Sequence, residues 1–139
     1  MEMPIEYTAS SDGMIVHVVA SGAVTLDEVR QYMHGVAHDD RVRPGFSELF
    51  DGCQIAEGQV GPESFVAIQQ LVLADPKRKP GSKVAIVVGK SLSFDKAKQY
   101  ERLAGSSAQN VIVFNDMHTA KIWLGAVDAK AEPVEQGRG

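Results

Sequence analysis

One thiol, four imidazoles and one dense run of bases are the groups in this chain whose types and spacing suggest chemistry. Cys53 follows Asp51 and Gly52. A thiol becomes a nucleophile only where its pKa is lowered. No His or Lys stands near it in the sequence, so it also reads as the small buried hydrophobe that a free cysteine often is. His34 and His38 are four apart, which puts two rings on one face of a helix, and Asp39 and Asp40 follow. Two histidines and a carboxylate make a metal set, but no second half-site accompanies them. The plainer reading is a wet helix end, where histidines suit the negative end of the dipole; no metal and no cofactor are expected. His17 lies in the most apolar segment, either as a buried neutral ring or as a ligand contact. Lys77-Arg78-Lys79 with Lys83, around Pro80-Gly81, is the one dense positive patch. It suits a phosphate, an anionic lipid head or an acidic partner, or else a solvated loop. Gly89-Lys90-Ser91 has the ending of a phosphate loop without its beginning, since Val84 stands where the leading glycine belongs.

The elements that must position these groups follow from periodicity and turn chemistry. Two strands are expected at 3–9 and 13–20, joined through Ser10-Ser11-Asp12-Gly13, whose Asp-Gly pair favours a tight hairpin. Met14 to Ala20 is apolar at nearly every position, which predicts a strand covered on both faces. Thr25 and Glu28 have capping-box spacing. Leu26, Val29, Met33 and Val36 then follow at helical spacing over 26–38. Phe46 to Asp51 reads as a short strand closed by Gly52. A second helix opens at Pro62 and Glu63 and carries Phe65, Ile68, Leu71 and Val72 on its apolar stripe. Lys83 to Val88 is a buried strand. Ser93 and Asp95 open a third helix, with Phe94, Ala97, Tyr100 and Ala104 on one face and Gly105 as its stop. Asn110 to Phe114 is a further strand. Asp116 caps a fourth helix with Met117, Ala120, Trp123, Leu124 and Val127 inward. The order β-β-α-β-α-β-α-β-α predicts an α/β fold: a four- to five-stranded, mostly parallel sheet with an N-terminal antiparallel hairpin and about four helices.

Composition bounds the rest. The chain has 139 residues, 44% of them hydrophobic and 23% charged, which suits one globular domain. That domain is expected over 1–127, with a C-terminal tail at 128–139. Fourteen basic and 18 acidic residues leave a net charge of −4, so no nucleic-acid partner is expected. Apolar runs fall far short of the about 20 residues that span a bilayer. Met1 to Tyr7 has no basic leader pattern. One cysteine forms no internal disulfide. A cytoplasmic location is expected.

Taken together, Ser21 to Glu28, Phe46 to Asp51 and Lys83 to Val88 with Phe94, Ala97, Tyr100 and Glu101 form a recognisable series. Val111 to Phe114 leading to Ala120, Trp123 and Leu124 completes it. In that order and spacing the chain resembles the STAS domain, the fold of the anti-sigma-factor antagonists. More closely it resembles the stand-alone bacterial proteins like stage II sporulation protein AA, often grouped with the CRAL-TRIO-type lipid-binding fold. The resemblance covers about 5–126. It implies a regulatory or ligand-binding role without catalysis. Phosphorylated STAS antagonists carry a Ser or Thr directly after the Asp that ends the third strand. Here Gly52 and Cys53 follow Asp51, and Ser64 lies inside the next helix, so the phosphoacceptor does not carry over.

Two roles follow as expectations. One is a non-enzymatic module that binds a protein partner or a second copy of itself as a homodimer. Its contacts would centre on Asp51, Gly52, Cys53, Glu63 and Ser64. The other is a carrier of a small apolar or lipid-like ligand, held between the sheet and the second and third helices by Phe65, Ile68 and Phe94. An enzyme using Cys53 or a histidine is a weaker third, because it needs a base within reach of the thiol.

Overall fold

The structure is a computed structural model that describes residues 4–55, 62–89, 92–104 and 109–125, and only the backbone of 62–63 and 92–94. The expected tail at 128–139, together with Gly105 and Val127, lies outside the described residues.

β1 (Ile5–Ala9) and β2 (Ile15–Gly22) form the antiparallel hairpin. Residues 10–14 close it. The Asp12 carboxylate accepts from the Ser10 hydroxyl (2.7 Å) and the Met14 amide (3.0 Å), and Gly13 turns the chain at φ 74°. α1 (Leu26–Ala37) starts on the expected capping box. The Thr25 hydroxyl accepts from the Glu28 amide, and the Glu28 carboxylate accepts from the Thr25 amide at 2.8 Å. α2 (Pro62–Ala74), β4 (Lys83–Val87), α3 (Leu92–Ala104), β5 (Asn110–Phe114) and α4 (Met117–Leu124) follow β3 (Ser47–Ile55) in the expected order. Asp116 caps α4 through the Thr119 amide, and Gly125 ends it at φ 75°.

The sheet runs β1-β2-β3-β4-β5, in chain order, and is parallel from β2 onward. Because the order never reverses, three right-handed crossovers put α1, α2 and α3 side by side on one face. α4, which follows the last strand, packs on the other face against β3, β4 and β5. The first face holds the larger core, with Val16, Val18, Val36 and Phe46 almost fully buried. The second holds Leu49, Ala85, Val87, Ala120 and Leu124, backed by Phe114, Met117 and Trp123.

Two expectations are corrected. β2 is fully covered on one face, not two. Val16, Val18 and Ala20 are buried, whereas on the second face Ile15 and His17 are half-buried and Val19 is 42% exposed, because α4 packs over β3–β5 and covers β2 only in part. β3 does not stop at Asp51. The pairing with β2 shifts between Val19 and Ser21, after which Ser21 and Gly22 align with Gln54 and Ile55. Asp51, Gly52 and Cys53 therefore lie within a strand rather than in a loop beyond it.

Candidate functional site

The alternation of β3 and β4 sends every second side chain under α1–α3, and these side chains do not fill the space beneath the helices. They leave a cavity of about 200 Å³. Its sheet wall is Phe50 and Ile55 from β3 and Val84, Ile86 and Val88 from β4 and its end. Its helical wall is Val29 and Met33 from α1, Phe65, Ile68 and Val72 from α2, and Ala97 and Tyr100 from α3. The Tyr100 ring meets Phe65 edge-on at 5.4 Å. For scale, an engineered apolar cavity of about 150 Å³ holds benzene.

One end of the cavity is polar. Glu48 of β3 accepts from both terminal nitrogens of Arg78, at 2.7 and 3.4 Å, and from the Tyr32 hydroxyl of α1. The Arg78 and Glu48 side chains are only 2% and 8% exposed. Asp75 lies 3.3 Å from the Arg78 Nε without an aligned hydrogen bond, and the Phe46 ring stacks 5.0 Å from the guanidinium. Burial works against the Glu48 charge, but the facing Arg78 cation, its hydrogen bonds and the Tyr32 hydroxyl outweigh it and hold the carboxyl below its usual range. Burial likewise opposes the Arg78 charge, and Glu48 overcomes it. The Tyr100 phenol is pushed up to about 12, first by burial and then by the Glu48 charge. Its oxygen accepts from the Gln69 amide at 2.7 Å. Gln109 closes the same end and donates to Ser82 at 3.1 Å.

The residues singled out in the sequence fall in different places. Phe65 and Ile68 line the cavity as expected, and Ser64 is buried beside them in α2. The side chains of Glu63 and Phe94 lie outside the described residues. Gly52 is buried where β3 approaches β4: a Cβ there would stand 3.1 Å from Ile55 Cδ1 and 3.4 Å from the Val87 carbonyl. Cys53 is exposed, its amide donates to Asp51, and burial followed by Asp51 pushes its thiol up, away from activation.

The basic run does not converge. Arg78 is inside, paired with Glu48. Lys77 turns back to the α1 C-terminus, where its ammonium donates to the carbonyls of Val36 (3.3 Å) and Asp39 (2.6 Å). Lys83 does the same for α4 through the Trp123 carbonyl at 2.9 Å. Lys79 stays exposed. Two of these four bases thus satisfy carbonyls at or just past a helix C-terminus.

His34 and His38 stack at 4.3 Å on the exposed face of α1, and the His38 Nδ1 sits 2.9 Å from the His34 carbonyl. Asp39 is taken up by Arg41 at 2.6 Å and by Tyr7 at 2.7 Å. Among the described residues no group of three or more His, Cys, Asp or Glu is placed to hold a metal ion. His17 lies half-buried on the second face of β2, within reach of Lys121 of α4. Its Nε2 is buried without a hydrogen-bond partner among the described residues, and burial, then Lys121, lower its pKa against the pull of Asp51.

The sequence reading missed Glu48, Tyr32 and Gln109. Glu48 did leave a signal, since it stands in phase with Phe46 and Phe50 in a segment otherwise apolar on that phase.

The fold is SpoIIAA-like, a five-stranded mixed sheet with four helices. The chain is similar to a solved structure from Shewanella loihica PV-4, an uncharacterized protein of the DUF3478 family with a SpoIIAA-like fold. It matches at TM-score 0.57 and 20% identity over 86% of this chain and 91% of that one. No family model matches the chain. No curated protein matches it either. Among the described residues no helix is long and apolar enough to cross a membrane.

Proposed function

We propose that this chain is a cytoplasmic, non-catalytic module of STAS-like fold that binds one small apolar ligand in the cavity beneath α1–α3. The observation that carries this reading is the cavity itself, apolar along its length with a few convergent polar groups at one end, as small-molecule sites are built. Cys53 and the histidines stand apart from it, which favours binding over chemistry. The test is native mass spectrometry of protein purified from its own host without denaturation, beside the Ala97→Phe variant. That variant places a ring in the cavity without touching the Glu48–Arg78 pair. A small mass that accompanies the wild type and not the variant supports the reading. Absence of any such mass, together with failure of small apolar probes to raise the melting temperature, overturns it.

A second reading, a protein partner or a second copy docked on the hairpin, is favoured by the partly open face of β2 and its 42% exposed Val19. β1 is moreover an edge strand, and unpaired edges invite pairing. Sedimentation velocity of the full chain at rising concentration tests the homodimer: a single monomer species throughout overturns it.

A further inference from the structure

Three lining residues carry a full charge: Glu48, Arg78 and Lys96. The first two are paired with each other at one end, nearly fully buried, with the Asp75 carboxylate 3.3 Å from the Arg78 Nε. A charged ligand group seated there would separate them and leave an uncompensated buried charge, which is strongly unfavourable. Lys96 differs, because among the described residues it forms no ion pair. Its neighbour Lys98 is already held by Glu101 at 2.6 Å.

Lys96 and Arg78 stand at opposite ends. α3 follows β4, so its first turns lie beyond the carboxyl end of that strand and its last residue lies at the other end. Ala104 packs there against Val84 and Val111. Eight residues of helix from Lys96 to Ala104 span about 12 Å at about 1.5 Å each. Four steps of β4 from Val84 to Val88 cover a similar length, about 13 Å. The cavity is therefore an apolar bore with the buried Glu48–Arg78 pair at one end and, at the other, a lysine without an ion pair among the described residues.

We infer that the ligand is a monoanionic amphiphile, a carboxylate whose head meets Lys96 and whose apolar chain runs between Phe65, Ile68 and Ile86 toward the Glu48–Arg78 pair. This rests on the cavity being the binding site. One lysine balances one negative charge. Scaling from the six carbons of benzene in about 150 Å³, the cavity takes about eight carbons. A neutral amphiphile of equal length offers Lys96 only an uncharged acceptor, and a cationic one repels it.

The test is isothermal titration of the full chain with octanoate, octanol and octylamine, on the wild type and on Lys96→Gln, Lys96→Arg and Ala97→Phe. Octanoate is expected to bind about tenfold more tightly than octanol, the worth of one charge-assisted contact at a partly exposed site. Lys96→Gln removes that preference while keeping the affinity for octanol, and Lys96→Arg restores it. Ala97→Phe binds neither. Equal affinity for acid and alcohol on the wild type, or a preference that survives Lys96→Gln, overturns the head-group assignment and leaves the cavity reading standing. Failure of all three probes on the wild type overturns the cavity reading and the head-group assignment with it.

Discussion

Glu48 illustrates what a single residue shows in sequence and what it hides. Its phase on β3 marks it as inward, and an inward carboxylate demands a cation. Which cation is hidden, because Arg78 arrives from a loop thirty residues away and looks like its neighbours Lys77 and Lys79. Removing one partner of such a pair leaves a buried charge. Glu48→Leu leaves Arg78 with only the unaligned Asp75 carboxylate and is expected to cost about 3–5 kcal/mol, read by urea denaturation; adding Arg78→Met and Asp75→Asn, so that no buried charge is left alone, is expected to recover most of the loss. A triple variant as unstable as the single one would show that the charge cluster holds no special share of the stability. His17 makes a pH prediction. Its folded pKa lies below the ordinary value, so the unfolded chain takes the proton first as pH falls past about 6.5. Its contribution to stability is present above that pH and lost as pH falls toward the folded pKa. The melting temperature is expected to fall on that side, and His17→Leu to flatten the fall. A variant with the wild-type slope would assign the acid loss to other groups.

At the scale of elements, the start signals were legible because they are local. The Thr25–Glu28 box, the Asp116 cap and the turn residues before β2 each act within a few positions. Gly13 tests this. It has φ 74°, and a Cβ there would stand 2.4 Å from the Arg41 carbonyl. Gly13→Ala is expected to cost about 2 kcal/mol or more, from both the left-handed backbone and the clash. Gly22 has φ 71° with open space around it, so Gly22→Ala is expected to cost only about 1 kcal/mol. Thermal melts of both variants check the order, and equal costs would mean that the Arg41 contact relaxes freely. Element ends and cover were less legible. β3 outruns its expected stop because a shifted register with β2 extends it, and register belongs to the pair of strands rather than to either. The partly bare face of β2 was unreadable for a similar reason: Ile15 and Val19 are as apolar as Val16 and Val18, and only the position of α4 decides which side is fully covered.

Across the whole molecule, the alternation of strands and helices defined the fold class, and the one-sided stacking of α1–α3 follows from strand order. The cavity does not appear in any local pattern. Phe65 and Ile68 carry the same helical spacing whether they close a core or line a hollow, and the difference is the volume left between elements. The strand order has a further consequence for how the chain assembles. Every strand pairs with the one made just before it, so no strand has to insert between two already in place. The parallel pairings, such as Ile15 with Ser47 and Glu48 with Val84, close shorter loops than an out-of-order sheet of the same strands would, and folding rates fall as such separations grow. The topology is thus compatible with a sheet extended in the order of synthesis, each βα unit adding one edge and β5 with α4 the last.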